Sequence, residues 1–206
     1  MQHQWLKRQS GATELIVVFG GWAIGPSVFA HLTTDADLLY LNDYRTLEYA
    51  LPDLSAYKSR TLVAWSFGVA SYGHWQQDHH DPFTRKFALN GSMSPVDRLT
   101  GIAPKILQKT IDTLSQDSFQ TFLARCFNAP QSPQPIDLPA RRAELIAIQA
   151  RGSAKTKLSW DRAWISGQDR IFSAANMHRA WPNATLLPDA AHVPFSTWSG
   201  WHEVLA

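Results

Sequence analysis

Cysteine is almost missing from these 206 residues: Cys126 stands alone, so no internal disulfide can form. That agrees with a reducing compartment and reads as a packed core thiol. No stretch approaches the roughly 18 uninterrupted apolar residues of a membrane span, and the opening MQHQWLKRQSG carries no apolar signal core. A soluble, unexported, cytoplasmic chain is expected, with no membrane partner. Internal repeats and low-complexity tracts are missing as well. So are a G-x-G-x-x-G pattern and a P-loop lysine, which argues against nucleotide binding. Net charge is only +2, and no nucleic-acid partner is expected.

What is present suits one globular domain. At 45% hydrophobic content the chain is long enough to bury a sizeable core and still carry an insertion. Nine tryptophans supply large apolar faces with polar handles, which fits a lined pocket or an ordinary core equally. Apolar runs of strand length occur at Glu14–Phe19, Asp37–Leu41, Thr61–Ala64, Lys86–Leu89, Arg162–Ser166 and Ala184–Leu187. Several lack polar alternation, as strands buried on both faces do. Helix-compatible segments lie between them at Val69–Gln77 and Ser173–Trp181, and a last one at Ser196–Leu205. This rhythm predicts a mostly parallel central sheet flanked by helices, whose ligands sit beyond the carboxyl ends of the strands.

The rhythm breaks between Leu89 and Arg162. Helical stretches at Ala103–Leu114, Ser118–Phe127 and Pro139–Ala150, with a proline-rich bend at Ala129–Pro139, read as an inserted helical lid over about 98–160. From Arg98 to Trp160 the chain is net +5, so the remainder is −3. A solvated helix face explains most such clusters, and a dock for an acidic partner is the sharper reading.

Thr61–Ala70, TLVAWSFGVA, puts Ser66 between a short apolar run and a small-residue helix. A strained strand-to-helix turn lifts a serine hydroxyl clear of its sheet, and needs small neighbours two residues before and after. Ala64 and Gly68 supply them. The hydroxyl becomes nucleophilic only beside an imidazole, which in turn needs a carboxylate to orient it. Asp169 follows the run AWIS, and His192 lies beyond ATLL and before the last helix. The order Ser66, Asp169, His192 places all three on loops at one sheet edge. Asp189 and Asp97 compete for the acid, with Asp169 preferred for its strand-end position. For the developing oxyanion, Phe67 N–H lies at a helix N-terminus, and the turn Phe19–Trp22 offers a second amide, that of Trp22. The run His74, Asp78, His79, His80, Asp81 lacks a third-ligand motif elsewhere, so no metal site is expected.

Together these segments resemble a known family, the BioG-type pimeloyl-acyl carrier protein methyl ester esterases within the α/β-hydrolases. The resemblance covers nearly the whole chain: FGGW at Phe19–Trp22, NDYR at Asn42–Arg45, AWSFGVA at Ala64–Ala70, NGS followed by Pro95, Asp97 and Gly101, FLARC in the insertion, GQDRIF at Gly167–Phe172 and AAHVPF at Ala190–Phe195. Ser92 and Val193 depart from its pattern. The resemblance implies an α/β-hydrolase fold and a Ser66, His192, Asp169 triad with Trp22 and Phe67 amides at the oxyanion. It implies hydrolysis of the methyl ester of a pimeloyl chain on acyl carrier protein, without cofactor. Arg125, Arg141, Arg142, Arg151, Lys155 and Lys157 are then the docking candidates for that acidic carrier. Trp22, Phe67, Phe122 and Phe127 are candidate walls of an acyl passage, with core packing the plainer role for each. A general short-acyl esterase or thioesterase, and a non-catalytic binding protein of the same fold, are the competing readings. The sequence is compatible with a monomer.

Overall fold

The computed structural model describes residues 1–206. Its strands are β1 Gln2–Lys7, β2 Glu14–Phe19, β3 Asp37–Asn42, β4 Ser59–Trp65, β5 Arg85–Leu89, β6 Arg162–Ser166 and β7 Thr185–Leu187. Its helices are α1 Phe67–Gln76, α2 Pro104–Asp112, α3 Gln116–Phe127, α4 Leu138–Arg151, α5 Ala174–Ala180 and α6 Trp201–Val204. The seven strands form one sheet in the order β1-β3-β2-β4-β5-β6-β7. All neighbours are parallel except β1 and β3. Residues 15–19 of β2 and 61–65 of β4 are fully buried, as central strands covered on both faces must be.

The register aligns the carboxyl ends. Phe19 pairs with Leu41 and Ala64, Trp65 with Leu89, Leu89 with Trp164, and Ser166 with Leu187. The loops after these strands therefore leave the sheet along one rim. Four of the five non-glycine residues with positive φ lie just past the ends of β2 to β5: Ala23, Asp43, Ser66 and Asn90. Such backbone costs about 1–3 kcal/mol per residue and persists only where the surroundings over-determine it.

Two elements differ from the expectation. β1 carries no buried stripe: QHQWLK runs from exposed to half-buried along an edge, so periodicity does not reveal it. The last helix is broken into a 3-10 turn at Phe195–Thr197 and a single turn, α6. Thr33 N–H donates to Ser199 O and Trp201 N–H to Thr33 O, and this bridge at Gly200 takes the backbone groups a continuous helix would use.

The interval between β5 and β6 holds α2, α3 and α4. Ser115 caps α3, exchanging hydrogen bonds with Ser118, and Asp137 caps α4 through Ala140 N–H at 3.0 Å. Leu107 and Ile111 of α2, Leu123 of α3 and Leu145 and Ile148 of α4 turn inward to the main core. Helix α1 is apolar on nearly every side and is buried accordingly.

Candidate active site

Ser66 stands between β4 and α1 with φ 60° and ψ −128°. The turn is tight enough that a side chain at Gly68 would place its Cβ 2.2 Å from the Phe19 carbonyl oxygen. Only glycine lets α1 start against the loop that follows β2. His192 Nε2 lies 3.0 Å from Ser66 Oγ, and His192 Nδ1 lies 2.8 Å from Asp169 Oδ2. All three side chains are buried. The other Asp169 oxygen accepts the N–H groups of Ile171 at 2.7 Å and Phe172 at 2.8 Å, so three donors hold the carboxylate. Phe172 stacks on the imidazole with ring centres 5.9 Å apart. Such an array can pass the serine proton to the imidazole and stabilise the imidazolium that results.

His192 hydrogen-bonds neither of the competing acids. Asp189 is exposed. Asp97 is occupied by the N–H groups of Leu99 and Thr100 and the Thr100 hydroxyl, at 2.7–2.9 Å. Those hydrogen bonds hold its carboxyl below the usual range.

Phe67 is the first residue of α1, a position with no intrahelical acceptor for its N–H. Trp22 N–H likewise has no backbone acceptor. The Trp22 indole donates to the Arg141 carbonyl at 2.9 Å and packs edge-on to Phe122, with ring centres 5.0 Å apart. Both residues line a cavity of about 410 Å³ running between α2 and α3, walled by Ile106, Leu107, Thr110 and Phe122. A hollow of about 540 Å³ near Lys7 and Phe29 is larger, but none of the site residues borders it. Phe127 does not line this cavity and packs against the core instead.

The docking candidates divide. Arg125 is exposed and lines the cavity. Lys155 and Lys157 are exposed on a loop tied to α1 by the Thr156 hydroxyl and Gly73 O. Arg141, by contrast, pairs with Glu144 and Asp43. Arg142 donates to Ile111 O and Leu114 O at the end of α2, and Arg151 to Tyr44 O. Charge counting cannot tell an outward arginine from one spent on carbonyls. Two exposed basic residues not among those candidates, Lys109 and Arg170, line the cavity beside Arg125.

Sequence reasoning also missed the groups that hold His192. Asn90 Nδ2 donates to His192 O at 2.9 Å and Ser166 Oγ at 2.8 Å, while its Oδ1 accepts Ser166 N–H at 2.8 Å. The NGS after a strand was its available signal. Val193 N–H donates to Cys126 O, which ties the residue after His192 to α3. Ser92 is buried, and its hydroxyl accepts Ser94 N–H. His74 Nε2 meets Gly152 O, and His79 stacks on Trp75. No group of three or more His, Cys, Asp or Glu is arranged to hold a metal ion. No helix is long and apolar enough to cross a membrane.

Comparison with known proteins places this geometry in context. A family model described as pimeloyl-ACP methyl esterase BioG matches residues 1–204. The solved structure of BioG from Haemophilus influenzae superposes with a TM-score of 0.88 at 27% identity, covering 100% of both chains. MGS-M2, an alpha/beta hydrolase from a Medee basin deep-sea metagenome library, matches with a TM-score of 0.61 at 12% identity, covering 99% of this chain and 92% of its own. The fold is that of the α/β-hydrolases. A malonyl-[acyl-carrier protein] O-methyltransferase of Bacteroides fragilis is 31% identical over 182 residues, 82% of this chain. The present chain spans only 36% of that relative's length.

Proposed function

The chain belongs to the BioG family, and on that premise we propose that it hydrolyses the methyl ester at the far end of a pimeloyl chain carried on acyl carrier protein. One observation carries the reading: the continuous relay from Ser66 Oγ through His192 to Asp169, at 3.0 Å and 2.8 Å, with the cavity of about 410 Å³ lined by Trp22 and Phe67 next to it. Ser66 Oγ attacks the ester carbonyl as His192 Nε2 takes its proton. The Trp22 and Phe67 N–H groups receive the oxyanion, and a donor of this kind contributes about 3 kcal/mol to the transition state. The carbon–oxygen bond to methoxide then breaks, and His192 returns the proton so that methanol leaves. A water deprotonated by the same imidazole attacks the acyl-serine, and the free carboxylate departs as Ser66 regains its proton.

Helices α2 to α4 act as a lid in this scheme. Arg125, Lys109 and Arg170 stand where the cavity meets solvent, and charge complementarity there would speed encounter with an acidic carrier. The chain then threads past Phe122 and Trp22 while the thioester stays outside, so selectivity comes from reach. The methyltransferase name of the longer relative supports the substrate class: carboxyl methylation on a carrier creates the kind of ester this site would remove.

Mass spectrometry of methyl-pimeloyl carrier protein after incubation tests the proposal. Loss of one methylene's mass by wild type and not by Ser66→Ala is the expected result. Release of the whole acyl group would instead establish thioesterase action.

A further inference from the structure

The loop that carries the Trp22 amide is gripped at both ends. The Trp22 indole Nε1 donates to the Arg141 carbonyl at 2.9 Å. Two residues earlier, Gly20 O accepts the buried Tyr44 hydroxyl at 2.8 Å. Tyr44 and Arg141 are joined in turn by one carboxylate. Glu144 accepts Tyr44 N–H at 2.8 Å on Oε1 and the Arg141 guanidinium on Oε2. It is wholly buried. Asp43 meets the other terminal nitrogen of the same guanidinium at 3.3 Å. Gly20, Tyr44, Glu144, Arg141 and Trp22 thus form a closed ring, of which the oxyanion loop is one arc and α4 another.

Stability alone is a poor reason for such a ring. Removing a carboxylate and a guanidinium from water costs several kcal/mol per ion, and apolar replacements of similar volume often match or exceed a buried ion pair. What apolar contact lacks is direction. Hydrogen bonds fix Tyr44 and Arg141 in orientation as well as distance, and an oxyanion donor is effective only when aimed before charge develops.

We infer that Glu144 is a positioning residue for the oxyanion donor, holding the Gly20–Trp22 loop through Tyr44 and Arg141 so that the seating of α4 governs the chemical step. The inference rests on the reading of Ser66 as nucleophile and Trp22 N–H as donor. It also moves Arg141 from carrier docking to positioning, and the two roles make opposite predictions for a substrate that has no carrier.

The test uses p-nitrophenyl butyrate, with rates normalised to active sites counted by fluorophosphonate titration. Glu144→Gln is expected to lower kcat per titrated site on the order of ten-fold with KM little changed. Trp22→Phe, which deletes the indole N–H, should behave alike. The double variant should lose no more than the worse single one, because both act through one arc. A merely structural role would reduce the titrated fraction or Tm and leave kcat per site intact, which overturns the inference. Losses that multiply in the double variant overturn it too. Should Glu144→Gln fail to fold, Arg141→Lys paired with Trp22→Phe carries the same comparison. A wild type without Ser66-dependent turnover would remove the functional reading and this inference with it, whereas turnover indifferent to these changes removes this inference alone.

Discussion

Trp65 Nε1 donates to the main-chain carbonyl of His192 at 3.1 Å, and the two rings lie 5.6 Å apart. The residue just before Ser66 therefore also holds His192. Trp65→Phe keeps an aromatic ring in this fully buried position and removes the bond. Because Asn90 still donates to the same carbonyl, stability should fall by only about 1 kcal/mol plus a packing contribution. A kcat reduced several-fold, measured on a small ester, is the expected readout; an unchanged kcat would show that the tryptophan merely packs.

Asn90 should matter more. Asn90→Ala strands the buried Ser166 N–H and weakens support of the His192 carbonyl. An unsatisfied buried group costs about 1–3 kcal/mol. Urea unfolding should show a loss of roughly 2–4 kcal/mol, accompanied by a lower kcat. Asn90→Asp turns an acceptor toward the His192 carbonyl in place of the donor and is expected to be worse in activity than alanine.

Within the relay, Asp169→Asn removes the carboxylate that faces His192 Nδ1. Turnover should fall by about 10³–10⁴, the loss that replacing the acid brings in serine hydrolases. Retention of more than a tenth of the activity would mean that another acid serves the imidazole.

Gly68→Ala tests the packing of α1 on the loop that follows β2. The new Cβ would lie 2.2 Å from Phe19 O and 2.7 Å from Gly20 O, both main-chain atoms with little room to give. Relieving that clash by a shift of about 1 Å in the loop should lower kcat/KM on the order of a hundred-fold. Activity near wild type would show that the loop tolerates movement.

Charge reversal at Arg125 and Arg170 separates docking from chemistry. The double change Arg125→Glu with Arg170→Glu should depress kcat/KM for carrier-bound ester at least about ten-fold more than for a free short ester. It should also flatten the salt dependence of the carrier reaction. Equal effects on both substrates would refute a carrier dock at this mouth.

Asp43 links pH to the ring around Glu144. Hydrogen bonds from Arg45 hold its carboxyl below the usual range; burial opposes this and the Arg141 charge adds to it. A depressed folded value means the stabilisation is complete above the unfolded value of about 3.9 and is lost as pH falls through the lower folded one. The stability gap between wild type and Asp43→Asn should therefore be constant near neutrality and narrow below about pH 4. A gap that widens on acidification would contradict the assignment.

Strand and helix alternation, the insertion between β5 and β6, and the chain order of Ser66, Asp169 and His192 were all legible. Each depends on patterns a few residues long: an apolar run, a small-residue turn, a polar residue just past a strand. β1 escaped because an edge strand with one thinly covered face has no strong pattern to read. The terminal helix was over-extended because its interruption comes from Thr33, far away in the chain. Phe127 and three of the six docking arginines and lysines were misplaced for a related reason, since residue type does not say which way a side chain turns.

The sequence by itself determined the layered architecture and singled out Ser66, Asp169 and His192 as candidates, because periodicity and local turn chemistry act over single elements. Only the tertiary structure decided how those groups are held. Tyr44 meets Glu144 across 100 residues, Trp22 meets Arg141 across 119, and Trp65 meets His192 across 127. Such bonds require a side-chain atom of one segment and a main-chain atom of another, distant in sequence, to stop within about 3 Å of one another. That closeness is set by the packing of the whole sheet and its helices, not by any stretch of letters.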